Sequence, residues 1–126
     1  MKLRIKGATL RLRLTQGEIR ALQEHGQVEE QVPFAPGVSL IYRLRKDAAA
    51  QEICASYRGN VVEILVPAAT ANEWCANQQV TLAQLQAVGG TQLNITLEKD
   101  FACLAPRAGE DESDNFPHPG SGATKC

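Results

Sequence analysis

Seven cations recur at alternate positions in three short runs: Lys2, Arg4 and Lys6; Arg11 and Arg13; Arg43 and Arg45. Such spacing gathers side chains on one side of a β-strand, because successive strand residues point to opposite faces. Guanidinium and ammonium groups displayed this way suit phosphate. Neutralising a polyanion releases its condensed counterions, and Arg adds charge-assisted hydrogen bonds. With strands one, two and four of the first half as neighbours, all seven project from one surface. The expected chemistry is anion binding, with nucleic acid or another anionic partner as the ligand. A plainer alternative is a solvated strand face whose charges discourage edge pairing.

A second group lies near the C-terminus: Cys103, His118 and Cys126, with Glu110, Asp111, Glu112 and Asp114 between them. These residue types suit zinc, but zinc sites usually pair ligands two to four positions apart, and that spacing is missing. A metal- or ligand-binding module centred on the tail is therefore the alternative, and a structural or protein-interaction module is a third. The run EDESDNF lacks the Asp-x-Asp-x-Asp-Gly order of a calcium loop. No Gly-rich phosphate loop, nucleophile elbow or HExxH is present. His25 is expected in the last turn of a helix, where a cation suits the dipole. Cys75 beside Trp74 reads as a small core residue. Lys46-Asp47 and Lys99-Asp100 read as charged strand ends. Binding, rather than catalysis, is expected.

The elements that carry these residues follow from pattern. Leu10, Leu12 and Leu14 alternate with the cations as an inward strand face. Thr15 with Glu18 forms a capping box that starts a helix over 16–25, and Gly26 stops it. VEEQVPF (28–34) is a strand whose Pro33 argues for an edge, Pro36-Gly37 a turn, and VSLIYRLR (38–45) another strand. Further on, Arg58-Gly59-Asn60 turns tightly into VVEILV, and Pro67 opens a helix near 68–77. Val80 to Gln86 alternates imperfectly, Gly89-Gly90 turns, and Leu93, Ile95 and Leu97 end the regular part.

The order β-β-α-β-β thus occurs twice, in 1–47 and 53–100. Offset by 52, Gly7 meets Gly59, Gln27 meets Gln79 and Val28 meets Val80. One extra residue later, Gly37 meets Gly90, and Lys46-Asp47 meets Lys99-Asp100. Each half alone is short of the roughly 60 residues at which a domain buries enough surface. The expected fold is α+β: a single barrel-like, mostly antiparallel β-domain over 1–100, built from two pseudo-symmetric halves. Its expected core is Leu10, Leu12, Leu14, Ile19, Leu22, Val62, Ile64, Val66, Trp74, Leu93, Ile95 and Leu97. Residues 101–126 read as an irregular acidic, Pro/Gly-rich tail, whose carboxylates are able to fold back across the basic face.

Composition agrees with a small aliphatic core, at 44% hydrophobic and 5% aromatic residues. No run approaches the roughly 20 apolar residues of a membrane span, and Met1 leads straight into a strand pattern. Four cysteines without a CxxC read as thiols, so a cytoplasmic location is expected. The net charge of −1 hides an asymmetry: +4 over residues 1–50, −3 over 51–100 and −2 over 101–126.

GNVVEILVPAATANEW followed by two strands resembles the swapped-hairpin barrel of AbrB-type regulators, and tandem copies are similar to MraZ-type proteins. The resemblance covers residues 1–100. It implies a swapped-hairpin barrel and DNA contact through exposed arginines of a basic face. The first copy has such a face, with Thr15 in place of Pro67; the second does not. The whole chain is also similar to a family of small uncharacterised bacterial proteins with a domain of unknown function, through KLRIKGATLRLRLTQGE, LEKDFACL and GEDESDNFPHP. That similarity implies no activity and no site residues.

Overall fold

Two stretches of alternating apolar residues, each interrupted by one short helix, build the molecule. The computed structural model describes residues 1–100. The first stretch forms β1 (Lys2–Ile5), β2 (Thr9–Leu14), α1 (Gln16–His25), β3 (Gln27–Ala35) and β4 (Val38–Asp47). The second forms β5 (Cys54–Arg58), β6 (Val61–Pro67), α2 (Ala68–Ala76), β7 (Thr81–Val88) and β8 (Thr91–Lys99).

Local chemistry accounts for the boundaries. The Glu18 N–H donates to Thr15 Oγ1 at 3.3 Å, and the Thr15 N–H donates to Glu18 Oε1 at 2.9 Å. Both hydrogen bonds of the capping box are therefore made, satisfying two otherwise orphaned donors. At the far end Gly26 takes φ 85°, and its N–H donates to Leu22 O. Only glycine adopts that conformation without a Cβ clash. Pro67 ends β6 and leads into α2 without a side-chain cap. Between β5 and β6, Gly59 and Asn60 both have positive φ, as a tight type I′ hairpin requires.

The strands do not close into a barrel. They form two four-stranded sheets, β1-β2-β8-β7 and β3-β4-β6-β5. Four of the six strand pairs are antiparallel, while β2–β8 and β4–β6 run parallel at the centre of each sheet. Each sheet joins a hairpin of the first stretch to a hairpin of the second. Side chains, not ladders, link the sheet edges. Gln86 on β7 donates from Nε2 to the Ala55 carbonyl at 3.0 Å and accepts from the Ala55 N–H at 2.6 Å, engaging the free edge of β5. At the other edge, the Met1 ammonium lies between Glu18 of α1 and Glu30 of β3, and Tyr42 Oη donates to Met1 O at 3.1 Å.

Both sheets and both helices contribute to one apolar cluster. Leu12, Leu14, Ile19, Leu22, Ile64, Val66, Trp74, Ile95 and Leu97 are buried as the alternation predicts. Leu10 and Leu93 are partly buried against them, and Val62 is half-buried. Met1, Val28, Leu44, Ile53 and Ala71 complete the buried set.

The recurring Lys-Asp pairs gain a structural reason. Lys46 Nζ donates to the Gln23 carbonyl in the last turn of α1 at 2.9 Å. Lys99 Nζ donates to the Asn77 carbonyl just past α2 at 2.7 Å and lies 5.4 Å from the Trp74 ring centroid. Each lysine thus meets carbonyls left unpaired at a helix C-terminus, where a cation is favoured.

Candidate functional site

The cations divide between the two sheets. Lys2, Arg4, Arg11 and Arg13 belong to β1 and β2 in the first sheet, and Lys6 lies in the turn that joins them. Arg43 and Arg45 sit on β4 in the second. Strands one, two and four of the first stretch are therefore not neighbours, and the seven do not form a single surface. The physical reason is that β2 takes β8 as its parallel neighbour, so β4 pairs elsewhere.

Register separates the two outer faces further. In the first sheet Arg4 is directly opposite Arg11, and Lys2 is directly opposite Arg13. Continuing across, Arg11 meets Thr96 and Arg13 meets Glu98. Leu3 and Leu12 alternate with these residues and face the core, so all four cations share the outer side. In the second sheet the corresponding row reads Glu29, Arg43, Glu63 and Ser56. There Arg43 has a carboxylate on either side, whereas Arg45 lies between Gln27 and Leu65.

Contacts follow the register. Arg43 donates to Glu29 at 2.7 Å and to Glu63 at 3.0 Å, while Arg45 Nε donates to Glu63 at 3.3 Å. These hydrogen bonds, that of Arg43 foremost, hold the Glu63 carboxyl below its ordinary range. On the first sheet Glu98 serves two guanidinium groups. Arg13 Nε donates to it at 3.0 Å, whereas Arg11 Nε lies 3.7 Å away and has no hydrogen-bond partner among the described residues. The Lys2 ammonium is 3.5 Å from the Asp100 carboxylate. Arg4 and Lys6 make no ion pair among the described residues. Arg4 and Lys6 of the first sheet therefore keep unmatched positive charge, whereas Arg43 and Arg45 of the second do not.

Glu98, Asp100 and Glu63 are the residues that the charge pattern alone missed. Their signal lies in sheet register, which neither spacing nor composition carries.

A cleft of about 620 Å³ opens between the helices beside the ends of β2 and β8, lined in part by Leu14, Ile19, Arg20, Cys75, Lys99 and Asp100. Burial pushes the Cys75 thiol up, and its Sγ donates to the Ile19 carbonyl at 3.7 Å. A protonated, hydrogen-bonded thiol is a poor nucleophile. Cys103, His118 and Cys126, expected as zinc ligands, lie outside the described residues. Among those described, no three His, Cys, Asp or Glu side chains come together as a metal site. No described helix is long and apolar enough to cross a membrane.

A family model described as a family of unknown function, DUF7009, matches residues 1–120. No curated protein and no solved structure matches the chain.

Proposed function

The chain belongs to the DUF7009 family of unknown function, and we propose that it binds an anionic partner, nucleic acid first, on the outer face of β1-β2-β8-β7. One observation carries this reading: Arg4 opposes Arg11 and Lys2 opposes Arg13. Like charges directly opposite across a strand pair are destabilising. A bound polyanion relieves that repulsion and offers charge-assisted hydrogen bonds to the part-exposed Arg11 guanidinium. The second sheet is the internal comparison, since its arginines already have their carboxylates. Arg43 and Arg45 accordingly leave the proposed site.

The two stretches 1–47 and 53–100 are read as pseudo-symmetric halves, as the AbrB-type resemblance implies. Support comes from strand order, because exchanging β1–β4 with β5–β8 turns the order of one sheet into that of the other. The parallel use of Lys46 and Lys99 at the helix ends adds to it.

A salt titration of the full chain against labelled duplex DNA tests the binding role. Affinity should fall with a log–log slope of about −0.9 per phosphate contact. Arg11→Ala with Arg13→Ala should weaken binding and flatten that slope by up to about two units. Absence of binding at low salt rules duplex DNA out as the partner.

A protein-interaction role draws separate support from the β3–β4 hairpin, which extends past the start of β6. Its end exposes Phe34 at 70% and Val38 at 48%. Contiguous exposed apolar patches, rather than single residues, mark partner contacts, and the hairpin end brings these two side chains together as the start of one.

A further inference from the structure

We propose that the acidic run Glu110, Asp111, Glu112 and Asp114 is a tethered competitor for the cationic outer face of β1 and β2. The chain would then regulate its own access to an anionic partner. This inference rests on the anion-binding reading of that face and names what occupies it when no partner is bound.

Charge complementarity is the first argument. The run places four carboxylates within five residues, and no Lys or Arg occurs from 108 to 124. The face it would meet holds two like-charge cross-strand pairs, and its Arg4 and Lys6 make no ion pair among the described residues. Acidic residues from the end of β8 already serve this face: Arg13 donates to Glu98, and Asp100 lies beside Lys2. The 110–114 run would extend the same compensation to the cations that remain.

Position is the second argument. The Asp100 N–H donates to the Leu14 carbonyl at 2.8 Å, and its carboxylate is 3.5 Å from Lys2 Nζ. The chain therefore leaves the last strand at one corner of the basic face. From Asp100 to Glu110 a chain spans at most about 35 Å when extended, and about 17 Å root-mean-square when flexible. The face is smaller than this reach: Lys2 and Arg4 are about 7 Å apart along the strand, and neighbouring strands about 5 Å apart. A segment tethered so closely acts at an effective concentration in the millimolar range.

Strength is the third. Ion pairs on a solvated face contribute about 0–1 kcal/mol each and weaken with salt. Four carboxylates thus hold the face loosely, and a polymer with many phosphates displaces them. The device sets a threshold without closing the site.

The test uses the full chain with Glu110→Gln, Asp111→Asn and Glu112→Gln. A charge-matched control carries Glu24→Gln, Glu52→Gln and Glu73→Gln, three exposed acids elsewhere. The probes are labelled duplex DNA and the side-chain Nε–Hε NMR signals of Arg11 and Arg13. At low salt the tail variant should shift these signals relative to the unaltered chain, and the control should not. High salt should erase the difference. The tail variant should also bind DNA roughly fivefold or more tightly than the control. Unchanged arginine signals overturn the proposal, even where DNA still binds to the face. Shifted signals with equal DNA affinity in both variants also overturn it, because the segment then docks without competing. Shifted signals with no DNA binding in any form keep the docking and remove duplex DNA as the partner.

Discussion

Arg4 and Arg11 stand directly opposite each other across β1 and β2, and no carboxylate shares their row. The row continues through Thr96 to Ala83, so relief must come from neighbouring rows or from outside the sheet. A face shaped only for stability would place an acid at one of these positions, as the other sheet does with Glu29 and Glu63. The contrast within one molecule locates the unresolved charge.

Arg4→Glu should therefore stabilise the protein by about 0.2–1 kcal/mol, the worth of a cross-strand charge pair. The same change should lower affinity for duplex DNA. Chemical denaturation and a binding titration read the two effects, and a loss of stability would contradict the assigned repulsion.

Arg43→Ala with Arg45→Ala should have the opposite profile. It strips Glu63 of both its guanidinium donors, and a loss of about 1 kcal/mol is expected for such half-exposed pairs. The salt slope of DNA binding should stay as it was. A flattened slope would return these arginines to the binding surface.

The pH dependence follows from Glu63. Its folded pKa is depressed by hydrogen bonds from Arg43 and Arg45, below a reference of 4.5. The associated stability is present above that reference and drains away as pH falls through the lower folded value. Glu63→Gln should flatten this part of the acid limb in urea denaturation curves. An unchanged limb would mean that other carboxylates control it.

Trp74 is 1% exposed and sits where α2 meets the shared core. Trp74→Ala should cost about 3–5 kcal/mol. A loss below about 1 kcal/mol by denaturant titration would show that the surroundings collapse into the vacated space.

What the sequence made legible was local. Thr15, Glu18 and Gly26 define α1 through contacts within a few residues, and alternation around Leu12 and Ile64 identifies inward faces without knowledge of any partner. What stayed hidden was long-range pairing. The residue that accepts from Arg13 is Glu98, 85 positions away. Nothing near Arg13 announces a parallel neighbour at that distance. The same gap explains why spacing alone groups Arg43 and Arg45 with β1 and β2, and why it points to a barrel in place of two sheets. Leu44 alternates correctly, but its full burial depends on β6, a strand of the other stretch.

The interleaved hairpins also bear on time. β2 has no parallel neighbour until β8 exists, so the first sheet cannot be completed until nearly all of residues 1–99 have been synthesised. Such distant pairings make folding slow relative to helical proteins of similar size. A cut in the 48–52 connector would leave two interlocked fragments, each with strands in both sheets. Although the sequence reads as two consecutive units, neither can be removed without taking half of each sheet with it.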